Sequence, residues 1–179
     1  MSSVDVATLR RFVALAGERL SGHWVILGGA VIPLLGGPYR ATLDIDVAGP
    51  DDAGAAATNE LLRIALELGL PVEAVNQSGA FFLREFPGWR EQLDVIHRGP
   101  SATILVPDAT LYVLLKLGRL SESDLQDSVA RIRMARSGGG DVDRGRVLAA
   151  IAAEEQRGAV SPRKSRLSAL RREVGAATR

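Results

Sequence analysis

The sequence predicts an α/β fold (α+β in the way its elements separate): a mixed sheet with flanking helices over residues 1–106 and a helical region over 107–179. Three observations predict it. Helical and extended patterns alternate through the first half of the chain. A cluster of short apolar runs follows, bounded by glycine and proline. Beyond Pro107 every apolar pattern has helical spacing. The two regions read as parts of one compact unit, with a basic tail from about residue 157.

Taken in order, Val6, Leu9, Phe12, Val13 and Leu20 recur at helical spacing, so 4–20 is expected as an amphipathic helix stopped by Ser21-Gly22. HWVIL (23–27) is a short apolar strand running into Gly28-Gly29. A helix over 29–36 ends at GGP. TLDIDVAG (42–49) is the next strand. Residues 53–68 form a helix, with Leu61, Leu62, Ala65 and Leu66 as its stripe. Three extended pieces are expected at 72–75, 80–86 and 91–97, with a further short strand at 103–106. Pro107 suits the first turn of a helix, here 108–119, rich in leucine and valine. Helices at 122–136, 142–155 and 162–174 complete the chain, with SGGG (137–140) as a break.

Composition excludes several classes. Apolar residues make up 46% and charged ones 24%, which is ordinary for a globular chain, and the net charge of +1 points to no partner by itself. From Arg157 to Arg179, however, there are seven Arg or Lys against one acid, Glu173. The chain has no cysteine, so disulfides and thiolate metal sites are ruled out. MSSVDVATLRRFVAL carries charges within its apolar pattern and does not read as a secretory leader. No apolar run approaches the ~20 residues that span a membrane. The expected location is therefore cytoplasmic.

The informative stretch is RATLDIDV (40–47). Residues two apart on a strand share a face, so Asp44 and Asp46 project together while Leu43, Ile45 and Val47 face the other way. Two carboxylates this close repel each other unless a cation lies between them. Mg²⁺ (or Mn²⁺), with its preference for a few carboxylates plus substrate phosphates, is the natural candidate. Asp94, alone in the apolar run QLDVIH, joins the pair if its strand lies beside 42–48. Three such carboxylates are the equipment of two-metal phosphoryl transfer, one of them able to deprotonate an acceptor. Gly28-Gly29, a strand-to-helix turn, lets backbone N–H groups approach a triphosphate. Arg40 and Thr42 add candidate phosphate contacts.

These residues resemble the nucleotidyltransferases of the DNA polymerase beta superfamily, above all the small prokaryotic branch that includes the AbiEii-type toxins. The resemblance is carried by LGGAVIPLLGGPYRATLDIDV (27–47), LDVI (93–96) and VPDATLYVLLKLGRLSESDLQDS (106–128), about two-thirds of the chain. It implies a nucleotidyltransferase-like sheet and Mg²⁺-dependent transfer of a nucleoside monophosphate from an NTP to a hydroxyl on tRNA or protein. It also implies a toxin–antitoxin setting with a partner protein. The family's glycine turn falls on Gly28 and Gly29, its metal-binding acids on Asp44 and Asp46, and its third acid on Asp94. Its phosphate-facing lysine falls on Lys116, and the acidic segment after it on Asp124 and Asp127. Many members carry Gly-Ser at the turn. Here Gly29 and Ala30 leave less side-chain help, and the chain is shorter than the toxins. A catalytically inactive binding or antitoxin module is thus the alternative reading.

Each of these residues also has an ordinary role to weigh. Asp44 and Asp46 can cap a strand end, Asp94 can be an exposed strand residue, and Lys116 can extend a buried stem to solvent. Arg119 with Asp124 or Asp127 can be an ion pair between adjacent helices. His23 and His97 read as structural, Trp24 and Trp89 as packing residues. The basic tail reads as a solvated helix, with RNA contact as a minority reading.

Overall fold

The computed structural model describes residues 4–38, 42–158 and 160–176. The chain divides into two compact units, Met1–Pro107 and Asp108–Arg179.

The first unit is a five-stranded mixed sheet with helices on it. Helix α1 (Val6–Arg19) is capped by Asp5, whose side chain accepts the Thr8 N–H at 2.7 Å. Strand β1 (Gly22–Leu27) leads through a tight 3₁₀ turn, Gly28–Ala30, into the four-residue helix α2 (Val31–Leu34). Then come β2 (Ile45–Ala48), α3 (Ala55–Glu67), the two-residue β3 (Val75–Asn76), α4 (Gly79–Arg84), β4 (Leu93–Arg98) and β5 (Ala102–Pro107). The strand order is β3-β2-β1-β5-β4. β1 runs antiparallel to β2 and parallel to β5, while β4 is antiparallel to β5 at the edge.

One sheet face, carrying Ile26, Val47 and Ile104, packs toward α1, whose Leu9, Phe12, Val13 and Ala16 are buried. Burying each of the larger of these side chains contributes about 1.5–3 kcal/mol. α1 lies close to β4 and the loop after it. A side-chain carbon at Gly17 would meet the His97 ring at 2.6 Å, and one at Gly99 would fall on the backbone of Gly17. Gly99→Ala is therefore expected to push α1 off the sheet and to destabilise the unit by about 1–3 kcal/mol, read from urea unfolding. The structural reading of His97 and Trp24 agrees with this packing: Trp24 is buried, with its Nε1 donating to the Ser21 carbonyl at 3.0 Å.

The opposite face carries Val25, Leu27, Asp46 and Leu105, and α4 lies over β2 on this side. Residues 80–86, expected as a strand, are mostly helical. Ala80 and Leu83, three apart, are buried, whereas Phe81 and Phe82 are exposed. Helical spacing outweighed the strand preference of adjacent aromatics. At 72–75 a 3₁₀ turn (Val72–Ala74) leaves only Val75 of the expected strand in β3.

The second unit is helical: α5 (Ala109–Leu117), α6 (Glu122–Ser137), α7 (Arg144–Gln156) and α8 (Ser161–Gly175). Asp108 caps α5, and Ser121 with Asp124 forms a reciprocal capping box on α6. Three arginines of the basic tail are engaged inside this unit. Arg163 donates to the Leu117 carbonyl and pairs with Glu154. Arg166 donates to the Leu120 carbonyl, and Arg171 pairs with Glu155. Among the described residues no helix is long and apolar enough to cross a membrane.

Candidate functional site

The turn after β1 and the start of β2 meet at one place. Gly28 has φ +67°, a left-handed conformation that costs an L-residue about 1–2 kcal/mol. The pairing of β1 with β2 sets Leu27 opposite Asp46. Asp46 thereby brings its carboxylate over the turn: a side-chain carbon at Gly28 would meet Asp46 Oδ2 at 2.5 Å. Gly28 and Gly29 are both half-buried, as is Asp46. Glycine is needed twice over at position 28, for its backbone angle and for the space the carboxylate occupies.

Asp44 lies two residues earlier, just ahead of β2, and is exposed. Thr42 is buried. Its carbonyl accepts the Val4 N–H at 2.8 Å and its hydroxyl donates to the Asp44 carbonyl at 3.0 Å. The Thr42 hydroxyl and carbonyl are thus both engaged within the chain. Arg40 lies outside the described residues. Gly79, which the sequence reading placed ahead of a strand, begins α4 against this site. A side-chain carbon there would meet Leu27 Cδ1 at 3.0 Å and Asp46 Cβ at 3.6 Å. The sequence signal for it was a small residue directly after polar Gln77-Ser78, at a helix start.

Asp94 is not beside Asp46. β4 does not lie beside β2; β1 and β5 intervene. Three strand spacings put it about 14 Å away. The register also turns it over. Asp94 pairs with Val106, whereas Asp46 shares its face with Leu27, Val25, Leu105 and Val95. Asp94 is exposed on the other side of an edge strand. The expected three-carboxylate cluster is thus not formed: Asp94 stands apart from Asp46, and Asp44 precedes the strand that carries Asp46. Among the described residues no three His, Asp or Glu side chains are grouped as for a metal ion.

Lys116, in the second unit, is also engaged otherwise than expected. Its ammonium is nearly buried and donates to Asp124 Oδ1 at 2.9 Å and to Asp127 Oδ2 at 3.2 Å. Asp124 is fully buried and also takes Arg119 Nε at 2.7 Å and the Ser121 hydroxyl at 2.7 Å. Burial disfavours the Asp124 anion. The hydrogen bonds from Arg119, Lys116 and Ser121 outweigh it and hold the carboxyl well below the usual carboxylate range. A phosphate would have to compete with two carboxylates for Lys116, so its role here is to join α5 to α6.

Asp46, with the exposed Asp44 two residues before it, carries the hard oxygen donors that Mg²⁺ prefers. The space that a Cβ at Gly28 would need is held by the Asp46 carboxylate. Comparison with protein-family models, curated proteins and solved structures returned no match.

Proposed function

We propose that this protein is a Mg²⁺-dependent nucleotidyltransferase that moves a nucleoside monophosphate from an NTP to a hydroxyl on tRNA or protein. The observation that supports it is the Asp46 carboxylate lying over a left-handed Gly28 at the end of a strand. Asp44 and Asp46 would hold the ion, which supplies charge neutralisation of the triphosphate and alignment of its α-phosphorus. Neither Gly28 nor Gly29 carries a side chain of its own to keep the phosphates from the turn. The acceptor oxygen attacks the α-phosphorus, a new P–O bond forms, and pyrophosphate leaves. Asp94, on the other sheet face, takes no part, and the acceptor's proton passes to water. Positioning and charge stabilisation carry the rate enhancement.

The acceptor is read as a protein hydroxyl in preference to tRNA. Arg163, Arg166 and Arg171 of the tail are held by Glu154, Glu155 and helix-end carbonyls, which leaves less of the basic surface that RNA requires. An antitoxin-like partner belongs to the same proposal.

The test is transfer of label from each α-³²P NTP, with Mg²⁺, to total cell protein or RNA. Labelling that vanishes in Asp46→Ala supports the enzyme, and equal labelling by that variant refutes it. Asp94→Asn is expected to leave the labelling unchanged. The second reading, an inactive nucleotide-binding or antitoxin module, is favoured by the displacement of Asp94 from Asp46. It predicts Mg²⁺-dependent NTP binding without any transfer.

A further inference from the structure

A cavity of about 600 Å³ opens on the sheet face that carries Asp46. Its floor is aliphatic: Val25, Leu105 and Leu93, from β1, β5 and β4. Trp89 and Arg90 form one wall, and the segment after β2 forms another. Val25 is two residues from Leu27, the partner of Asp46, so the floor begins about 7 Å along the strand from the Asp46 row.

The wall is held in place before any ligand arrives. The Arg90 guanidinium stacks 4.4 Å over the Trp89 ring and pairs with Asp51. Asp51 also takes Arg84 Nε at 3.1 Å, and Arg84 donates to the Gly49 carbonyl at 3.2 Å. Each exposed pair adds little stability alone. Together they join α4, the Trp89 turn and the Gly49–Asp52 segment around the opening. His23 and Asp52 stand at the rim, both exposed.

The volume is that of a small-molecule site. An aliphatic floor with an indole wall accepts a flat ring, and a rim carboxylate accepts hydrogen bonds from ring N–H or amino groups. We propose that the cavity holds the base of the nucleotide whose phosphates lie at Gly28 and Asp46, with Asp52 accepting from an amino-bearing purine edge. This rests on the reading of the Gly28–Asp46 site given above.

The test uses the full chain and Mg²⁺, titrated with non-hydrolysable analogues of the four NTPs and with inorganic tripolyphosphate, which has no base. The purine nucleotides are expected to bind at least about fivefold more tightly than tripolyphosphate. Asp52→Ala, at an exposed position, and Leu93→Trp, which fills the cavity from an edge strand, are expected to lower nucleotide affinity to the tripolyphosphate level. Tripolyphosphate affinity should not change, and melting curves verify that both variants fold. Nucleotide affinity that neither variant alters, with tripolyphosphate still binding, overturns the base site alone. Equal binding of nucleotides and tripolyphosphate by the unaltered protein does the same. Binding of neither overturns the base site and the phosphate site together.

Discussion

Asp124→Ala is expected to destabilise the helical unit by about 3–5 kcal/mol, the cost of breaking a buried ion pair from one side. Asp124 is fully buried and holds Lys116, Arg119 and the Ser121 hydroxyl and backbone N–H. Its removal strands the nearly buried Lys116 ammonium on Asp127 alone, at 3.2 Å, and opens the capping box of α6. Arg119→Ala is the control. That side chain is 76% exposed, so its loss should cost no more than about 1 kcal/mol. Urea unfolding followed by circular dichroism reads both. The same network predicts a pH dependence. Because the folded-state pKa of Asp124 is depressed, its stabilising contribution is fully present above the unfolded value of about 3.9. It is lost as pH falls below that toward the folded-state value. The melting temperature of the helical unit should therefore drop in acid below about pH 4, and less so in Asp124→Ala.

Gly28→Ala is expected to abolish Mg²⁺-dependent nucleotide binding and to lower stability by about 1–3 kcal/mol. Two effects add. The left-handed backbone strains any L-residue, and the new methyl lands 2.5 Å from Asp46 Oδ2, forcing the carboxylate off the turn. Gly36→Ala separates them. Gly36 has φ +83°, the same region, but nothing lies within 4 Å of an added carbon. It should lose comparable stability yet bind nucleotide as the unaltered protein does. Paired unfolding and binding titrations decide this. Equal loss of binding in both variants would show that backbone strain, not the carboxylate, matters at Gly28.

The parts of the site that are local in the chain were legible in the sequence. β1, its glycine turn and β2 follow one another, and alternation along β2 turns Asp46 to the face opposite Ile45 and Val47. Asp44, expected in the same strand, lies ahead of it, and Leu43 is exposed. The antiparallel pairing of β1 with β2 then brings Asp46 to Gly28. The place of Asp94 was not legible, because it depends on pairings far apart in sequence. β5 inserts beside β1 through the register Gly22–Ala102 to Val25–Leu105, which pushes β4 to the edge. A one-residue difference in register then decides the face, and nothing within QLDVIH encodes it. AFFLREF misled for a related reason: its aromatics suggested a strand, but Ala80 and Leu83 carry the burial. Lys116 was ambiguous in the sequence because an ion pair and a phosphate contact ask for the same residue. Asp124 and Asp127, one helical turn apart at the start of α6, decide for the ion pair.

The most direct test is calorimetric titration of the full chain with a non-hydrolysable NTP, with and without Mg²⁺, beside Asp46→Asn and Asp94→Asn. The account predicts binding that requires Mg²⁺, weakened more than about tenfold (1.4 kcal/mol) in Asp46→Asn and unchanged in Asp94→Asn. Binding by Asp46→Asn as tight as that of the unaltered protein, or none by the unaltered protein with Mg²⁺ present, would contradict it.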